Sequence, residues 1–226
     1  MKNAIIIGGR TGVGASTAMQ LRGAGWNVIT TTHSEDTDGH LHWDVTAVMP
    51  DISALPAEIH ALVYCPGTIH LKPFKRFTDA DFRSDLEVNV LGFARAVRAL
   101  EARLRAGSAS VVSFSTVAVK QGMGFHASVA TSKGALEGLS RSLAAEYAPI
   151  VRFNCIALGL TDTPLADRLL NTDAKREAAA ARHPLKAIGR PDDVAAMVEF
   201  LVSEQGRFVS GQTFGLDGGL STLRTS

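Results

Sequence analysis

The feature that most narrows what this chain can become is a short apolar run that ends in glycines. Residues 4–7 read Ala-Ile-Ile-Ile and pass directly into Gly8-Gly9-Arg10-Thr11-Gly12-Val13-Gly14, after which residues 15–22 take on a helical pattern. An unbroken β-branched run favours a strand buried on both faces. Glycine permits the tight turn behind such a strand, and the helix that follows offers unpaired N–H groups and the positive end of its dipole. Strand, glycine turn and helix together make a cradle for phosphate. A plain structural turn uses glycine for the same conformational reason. The position at the end of the first strand favours the nucleotide site.

The alternation continues along the chain. Strands are expected at residues 27–32, 41–43, 61–65, 109–115, 151–156 and 213–216, and helices at 128–147 and 191–203. Residues 79–105 are helix-rich, as one helix or two in series. This order predicts an α/β fold: a single doubly wound parallel sheet, Rossmann-like, of about seven strands, with helices on both faces. Only about eight residues separate the second strand from the third, too few for a helix. One crossover helix is therefore missing or reduced to a turn. Across 226 residues there is no internal repeat and no low-complexity linker, so residues 1–226 are expected to form one dinucleotide-binding domain.

Composition removes other classes. Hydrophobic residues at 46% and charged residues at 20% exclude a disordered or fibrous chain. Lys+Arg 23 against Asp+Glu 22, with no run of five like charges, gives no reason to expect a nucleic-acid partner. The first apolar run is far short of the ~20 residues a membrane span needs, so no membrane association and a cytoplasmic location are expected. Cys65 and Cys155 lie far apart in apolar segments, which suits a reducing compartment. His40 and His42 alternate without a third ligand nearby, and no metal is expected.

The cofactor can be narrowed further. Nicotinamide dinucleotides without a 2′-phosphate are usually held by a carboxylate at the end of the second strand. Here that stretch is Thr30-Thr31-Thr32-His33-Ser34, and the first acids are Glu35 and Asp36. Arg10 inside the glycine loop, with His33, Ser34 and the threonine hydroxyls, suits a 2′-phosphate and hence NADP(H). The alternative is NAD(H), with Arg10 facing solvent and Glu35 reaching back to the ribose.

Over essentially its whole length the chain resembles the short-chain dehydrogenase/reductase family. Gly8, Gly12 and Gly14 have the spacing of its glycine loop, although Ile7 stands where the family has Thr. Asp44-Val45 looks like the pair that touches adenine, and Asn89-Val90-Leu91-Gly92 matches the family's Asn-Val-x-Gly. Tyr64-Cys65-Pro66-Gly67 keeps only the glycine of Asn-Asn-Ala-Gly. The segment from Ala157 to Thr163 is similar to the stretch that holds the nicotinamide amide, with Leu158 in place of Pro. Residues 189–195 and 210–219 resemble the C-terminal segments. With the loop reading, the resemblance implies cofactor contacts at Gly8, Arg10, Thr11, Gly12, Val13, Gly14, His33, Ser34, Asp44, Val45, Cys65, Pro66, Gly67, Lys133, Gly159, Thr161 and Thr163.

The catalytic positions depart from the family. Its Lys is present as Lys133, but its Tyr, four positions earlier, is Val129, and Thr116 stands in the place of its Ser. The resemblance therefore implies catalytic roles for Asn89, Thr116 and Lys133 around a position that has no proton to give. A positioned general acid is worth about 10²–10⁴ in rate. His126 lies seven residues before Lys133, where the related enoyl reductases carry a Tyr, and imidazole is a competent donor near neutrality. The plain reading of His126 is a loop residue near a helix start.

Three functions stay open: NADP(H)-dependent hydride transfer to or from a carbonyl or alcohol with a substituted proton donor, reduction of a conjugated C=C bond, and a silent nucleotide-binding sensor or partner subunit. Residues 164–184, rich in Ala and Leu, are expected to form an amphipathic helix as a lid. Phe74, Met123 and Phe125 are expected to add an apolar wall, which implies a partly hydrophobic small-molecule substrate. The resemblance also implies a homo-oligomer, dimer or tetramer. Leu136, Leu139 and Leu143 suit either a twin helix or the chain's own sheet.

Overall fold

The computed structural model describes residues 1–35 and 37–224. Seven strands form one parallel sheet in the order β3-β2-β1-β4-β5-β6-β7. They are β1 (Asn3–Ile7), β2 (Asn27–Thr32), β3 (Leu41–His42), β4 (Ala61–Tyr64), β5 (Ser110–Thr116), β6 (Arg152–Leu158) and β7 (Thr213–Leu216). Successive residues of a strand point to opposite faces, so each central strand feeds two cores. Ile5, Ile7, Leu62, Tyr64 and Val111 pack on one side with Phe93, Val97, Leu100 and Leu136. Ala4, Ile6, Val63, Val112 and Ile156 pack on the other with Ala18, Leu21, Val194 and Val198. The helices are α1 (Gly12–Gly23), α2 (Asp79–Leu86), α3 (Gly92–Ala106), α4 (Ala127–Tyr147), α5 (Asp167–Leu170), α6 (Asp173–Arg182) and α7 (Pro191–Val202). Among the described residues no helix is long and apolar enough to cross a membrane.

Local chemistry sets the helix ends near the cleft. Thr78 and Asp81 form a reciprocal capping box at the start of α2. Pro191 opens α7, where its missing N–H costs no intrahelical bond. Between α2 and α3 the helix-rich stretch resolves into two helices joined by a π turn over Glu87–Leu91. The wider turn carries Asn89, fully buried, toward the sheet.

The short connection between β2 and β3 holds no helix among its described residues, as its length requires. The link from β3 to β4 is also irregular over residues 43–60. It covers its face of the sheet with side chains instead: Trp43, Val45 and Ile59 are buried in the α3 core. Asp44 and Asp51 stabilise its bends by accepting from the backbone N–H groups of Thr46 and Ser53. Residues 164–184 depart from the expected single amphipathic helix. They form a 3₁₀ turn at Pro164–Ala166, then α5 and α6, which meet through Ala166, Leu170 and Ala179. Leu136 is fully buried, and Leu139 and Leu143 pack against the chain's own core.

Leu100 is fully enclosed on α3, whereas Leu91, one residue before that helix, is about half exposed. Leu100→Ala is expected to cost about 2–5 kcal/mol, and Leu91→Ala to stay within roughly 0.5 kcal/mol of the parent. Urea denaturation of the two variants checks the contrast.

Candidate functional site

The sheet order reverses at β1, with β2 on one side and β4 on the other. Chains leaving neighbouring strands toward opposite faces open a crevice at the strands' carboxyl ends. A cleft of about 1000 Å³ lies there. The glycine loop forms one wall with Gly8, Arg10, Thr11, Gly12, Val13 and Gly14. His33, Ser34, Asp44 and Val45 line one end, Cys65, Pro66, Gly67 and Lys133 the middle, and Gly159, Thr161 and Thr163 the far side. The sequence-derived cofactor positions thus all border one cavity.

The loop's shape fits a diphosphate. A Cβ on Gly14 would stand 2.2 Å from the Gly8 carbonyl oxygen, so no side chain can occupy that position. Gly8 itself is left-handed, at φ +76°. No side-chain hydrogen bond caps α1 and its first turn holds no acid, so the helix supplies no anion of its own at the end that meets the cleft.

At the other end Asp44 accepts from the Thr46 N–H and hydroxyl at 2.8 and 2.7 Å. The Thr46 backbone bond is the main reason its carboxyl lies below the usual range. Thr31 and Thr32, at the end of β2, also line the cleft. Glu35 is exposed and lies off the lining, and Asp36 falls outside the described residues.

Of the expected catalytic residues, Thr116, His126 and Lys133 line the cleft. Thr116 ends β5, and its Oγ1 accepts from the Ala118 N–H. Val129 and Lys133 stand one turn apart on α4, and both line the cavity. Lys133 is 8% exposed. Burial pulls its pKa from the usual 10.5 down to about 8. A Cβ on Gly67 would lie 3.3 Å from Lys133 Nζ and 3.4 Å from Asn89 Oδ1, which places the amine and the amide oxygen on the same small residue. Beside them burial pushes the Cys65 thiol up to about 12, so it stays protonated. His126 lies at the N-cap of α4, not within it. Its Nδ1 donates to the Gly124 carbonyl at 2.7 Å, and the side chain borders the cleft near Val129. Its backbone is non-helical, at φ −99° and ψ 12°, so it does not share the helical face of Val129 and Lys133 as an earlier helix start would require.

Asn89 does not line the cleft. It is buried behind the lining, donating from Nδ2 to Thr68 Oγ1 and Ser132 Oγ, both at 3.1 Å. Thr68, Asp85 and Ser132 were not singled out by the sequence. A signal existed: Asp85 and Asn89 are four residues apart in a helix-rich stretch, a spacing that puts two polar side chains on one face. Of the expected apolar wall, Met123 lines the cleft, but Phe74 and Phe125 point to solvent at 74% and 61% exposure.

A model of the enoyl-(acyl carrier protein) reductase family matches residues 42–221. The short-chain reductase protein NovJ of Streptomyces niveus is 30% identical, over 96% of this chain and 92% of its own length. The ligand-free aldohexose dehydrogenase of Thermoplasma acidophilum superposes with a TM-score of 0.86 at 27% identity, covering 100% of this chain and 97% of that one. The NADP complex of RhlG from Pseudomonas aeruginosa shares the fold with a TM-score of 0.91 at 24% identity, covering 97% of this chain and 96% of that one.

The buried amine makes stability depend on pH in a defined direction. Between pH 8 and 10.5 the native Lys133 sheds its proton while the unfolded chain keeps it, so the unfolded state binds more protons and stability rises with pH. The gain approaches about 3 kcal/mol in the cofactor-free protein. Lys133→Met is expected to lose that rise. Denaturant midpoints of both proteins from pH 7.5 to 10.5 check it.

Proposed function

Because the chain belongs to the short-chain dehydrogenase/reductase family of oxidoreductases, we propose that it transfers hydride between NADP(H) and a small carbonyl or alcohol with a substituted proton donor. The observation that carries this reading is the meeting of Lys133 and Thr116 on the wall of one cleft, with Asn89 buried behind that wall and a loop that excludes every side chain at Gly14. The reduced nicotinamide, when bound, supplies the hydride. Lys133 holds the adjacent ribose with its amine. Thr116 hydrogen-bonds the substrate oxygen in the role of the family's serine, and Asn89 braces the wall behind Gly67. Arg10 on the cleft wall and the run from Thr30 to Ser34, which contains no carboxylate, support the 2′-phosphate, hence NADP(H) over NAD(H).

Val129 carries no proton, so the substrate oxygen takes its proton from another group, and His126 and a water held by Thr116 and Lys133 are two that border the cleft. A lysine whose pKa lies near 8 is itself matched to proton transfer near neutrality. The apolar Val129 also supports a second reading, reduction of a C=C bond conjugated to a carbonyl. There the oxygen needs hydrogen bonds rather than a phenol, and the proton goes to carbon. The enoyl reductase description of the matching family model agrees with that reading.

The residues 164–184 serve as the substrate lid of a single domain in this proposal. Leu165, Ala166 and Leu169 border the cleft with Met123 and Val129, which suits a partly hydrophobic substrate. A homo-oligomer in the cytoplasm completes the proposal. The edge strand β7 and the 94% exposed Phe208 near it are the surface that supports self-association.

The test is NADPH oxidation against a panel of aldehydes, ketones and cyclic enones. The native protein is expected to turn over at least one of them, and Val129→Tyr to raise carbonyl reduction by about 10²–10⁴. His126→Ala is expected to lower turnover without changing NADPH affinity. Unchanged turnover in His126→Ala removes the imidazole as donor. A native protein inert toward every acceptor overturns the hydride-transfer reading and leaves a silent binder.

A further inference from the structure

Asp85 lies near the cleft and has no part in the proposed function. It sits on α2 with no exposed surface. Its Oδ1 accepts the Thr68 hydroxyl at 2.6 Å and His70 Nδ1 at 2.6 Å. Its Oδ2 is buried with no hydrogen-bond partner among the described residues. A carboxylate in such a place is costly, and one left half-satisfied more so. Apolar packing would serve the core better, so the charge calls for a use beyond stability.

The two donors on Asp85 face opposite ways. His70 is 45% exposed to solvent. Thr68 borders the cleft and accepts from Asn89 Nδ2, whose amide oxygen lies beside Lys133 Nζ across Gly67. A surface imidazole, a buried carboxylate and a cleft-facing hydroxyl are thus joined by two short hydrogen bonds. Each of the three can bind and release a proton.

We propose that His70, Asp85 and Thr68 form a proton path between solvent and the cleft, taking over the supply that a tyrosine at position 129 would otherwise feed. This rests on the hydride-transfer reading above. In the reducing direction the Thr68 hydroxyl turns from Asp85 Oδ1 toward the cleft, and its O–H bond breaks as the proton passes to the oxygen that has become an alkoxide on hydride arrival. Thr68 Oγ1 takes a proton from Asp85 Oδ1, Asp85 takes one from His70 Nδ1, and the imidazole regains one from solvent at its exposed side. The net transfer is one solvent proton to the substrate oxygen; it leaves His70 protonated at Nε2, so a half-turn of the ring about χ2 presents that N–H to Asp85 and resets the path. In the oxidising direction the same steps run in reverse.

The probes are NADPH with the best acceptor from the carbonyl panel, and the variants His70→Ala, Asp85→Asn and Thr68→Val. Each variant is expected to lower kcat about tenfold to a hundredfold, with the NADPH dissociation constant within twofold of native. Imidazole in the buffer is expected to restore His70→Ala and not Asp85→Asn, an outcome that a structural role would not produce. Without cofactor or substrate, proton NMR of the native chain is expected to show a low-field Nδ1–H resonance that both His70→Ala and Asp85→Asn lose. His70 is at the surface, so its removal leaves the fold intact even if Asp85→Asn perturbs it. Turnover indifferent to His70→Ala and Asp85→Asn overturns the path while leaving hydride transfer standing. Loss without imidazole rescue makes the pair structural and also overturns it. A native protein that binds NADPH but reduces no acceptor overturns the hydride-transfer reading and this role with it.

Discussion

The reversal of strand order at β1 is the constraint on which the rest of the molecule depends. Parallel strands need covering on both faces, and the right-handed crossovers that provide it run one way to β2 and the other way to β4. The two departing chains cannot close over the same end of the sheet. The crevice between them is therefore a consequence of topology, and the sequence places its glycines there. Gly14 approaches the Gly8 carbonyl so closely that a methyl group cannot intervene. That contact brings the start of α1 against the end of β1, and the cleft inherits a positive helix end at its floor.

The second determinant is charge without a phenol. Lys133 is held in an almost dry position, where burial weakens its hold on a proton. Val129 stands beside it on the cleft wall. An apolar group at that point removes both a donor and a hydrogen-bond partner, so proton traffic has to enter by other atoms. Beside Lys133, His126 and the proposed Thr68–Asp85–His70 chain are two routes the structure offers. They differ in kind: His126 borders the cleft directly, whereas His70 is joined to it only through Asp85 and Thr68.

Much of this was legible in the residues. The apolar run, the glycines and the helix after them were sufficient for β1, the loop and α1, because burial and conformational freedom act there over neighbouring positions. The strands β5 and β6 and the helix α4 were legible for the same reason, and so was a parallel sheet of about seven strands; the positions that the family resemblance supplied border the cleft. Three features were not. The π turn at Glu87–Leu91 leaves no periodic trace, since it shifts the hydrophobic phase by a single residue. The link over residues 43–60 covers its face with side chains from an irregular backbone, and its asparate turns look like any loop. The Asp85 network joins residues 15 and 17 positions apart, and only the fold brings them to one carboxylate. The apolar wall failed at Phe74 and Phe125 because hydrophobicity alone does not say which way a loop side chain points.

The most direct measurement is a crystal structure of the protein grown with saturating NADPH. The account predicts the diphosphate over residues 8–14, the 2′-phosphate near Arg10 and the nicotinamide ribose within hydrogen-bond reach of Lys133 Nζ. A dinucleotide bound elsewhere, or a cleft that stays empty of it at saturation, contradicts the account at its base.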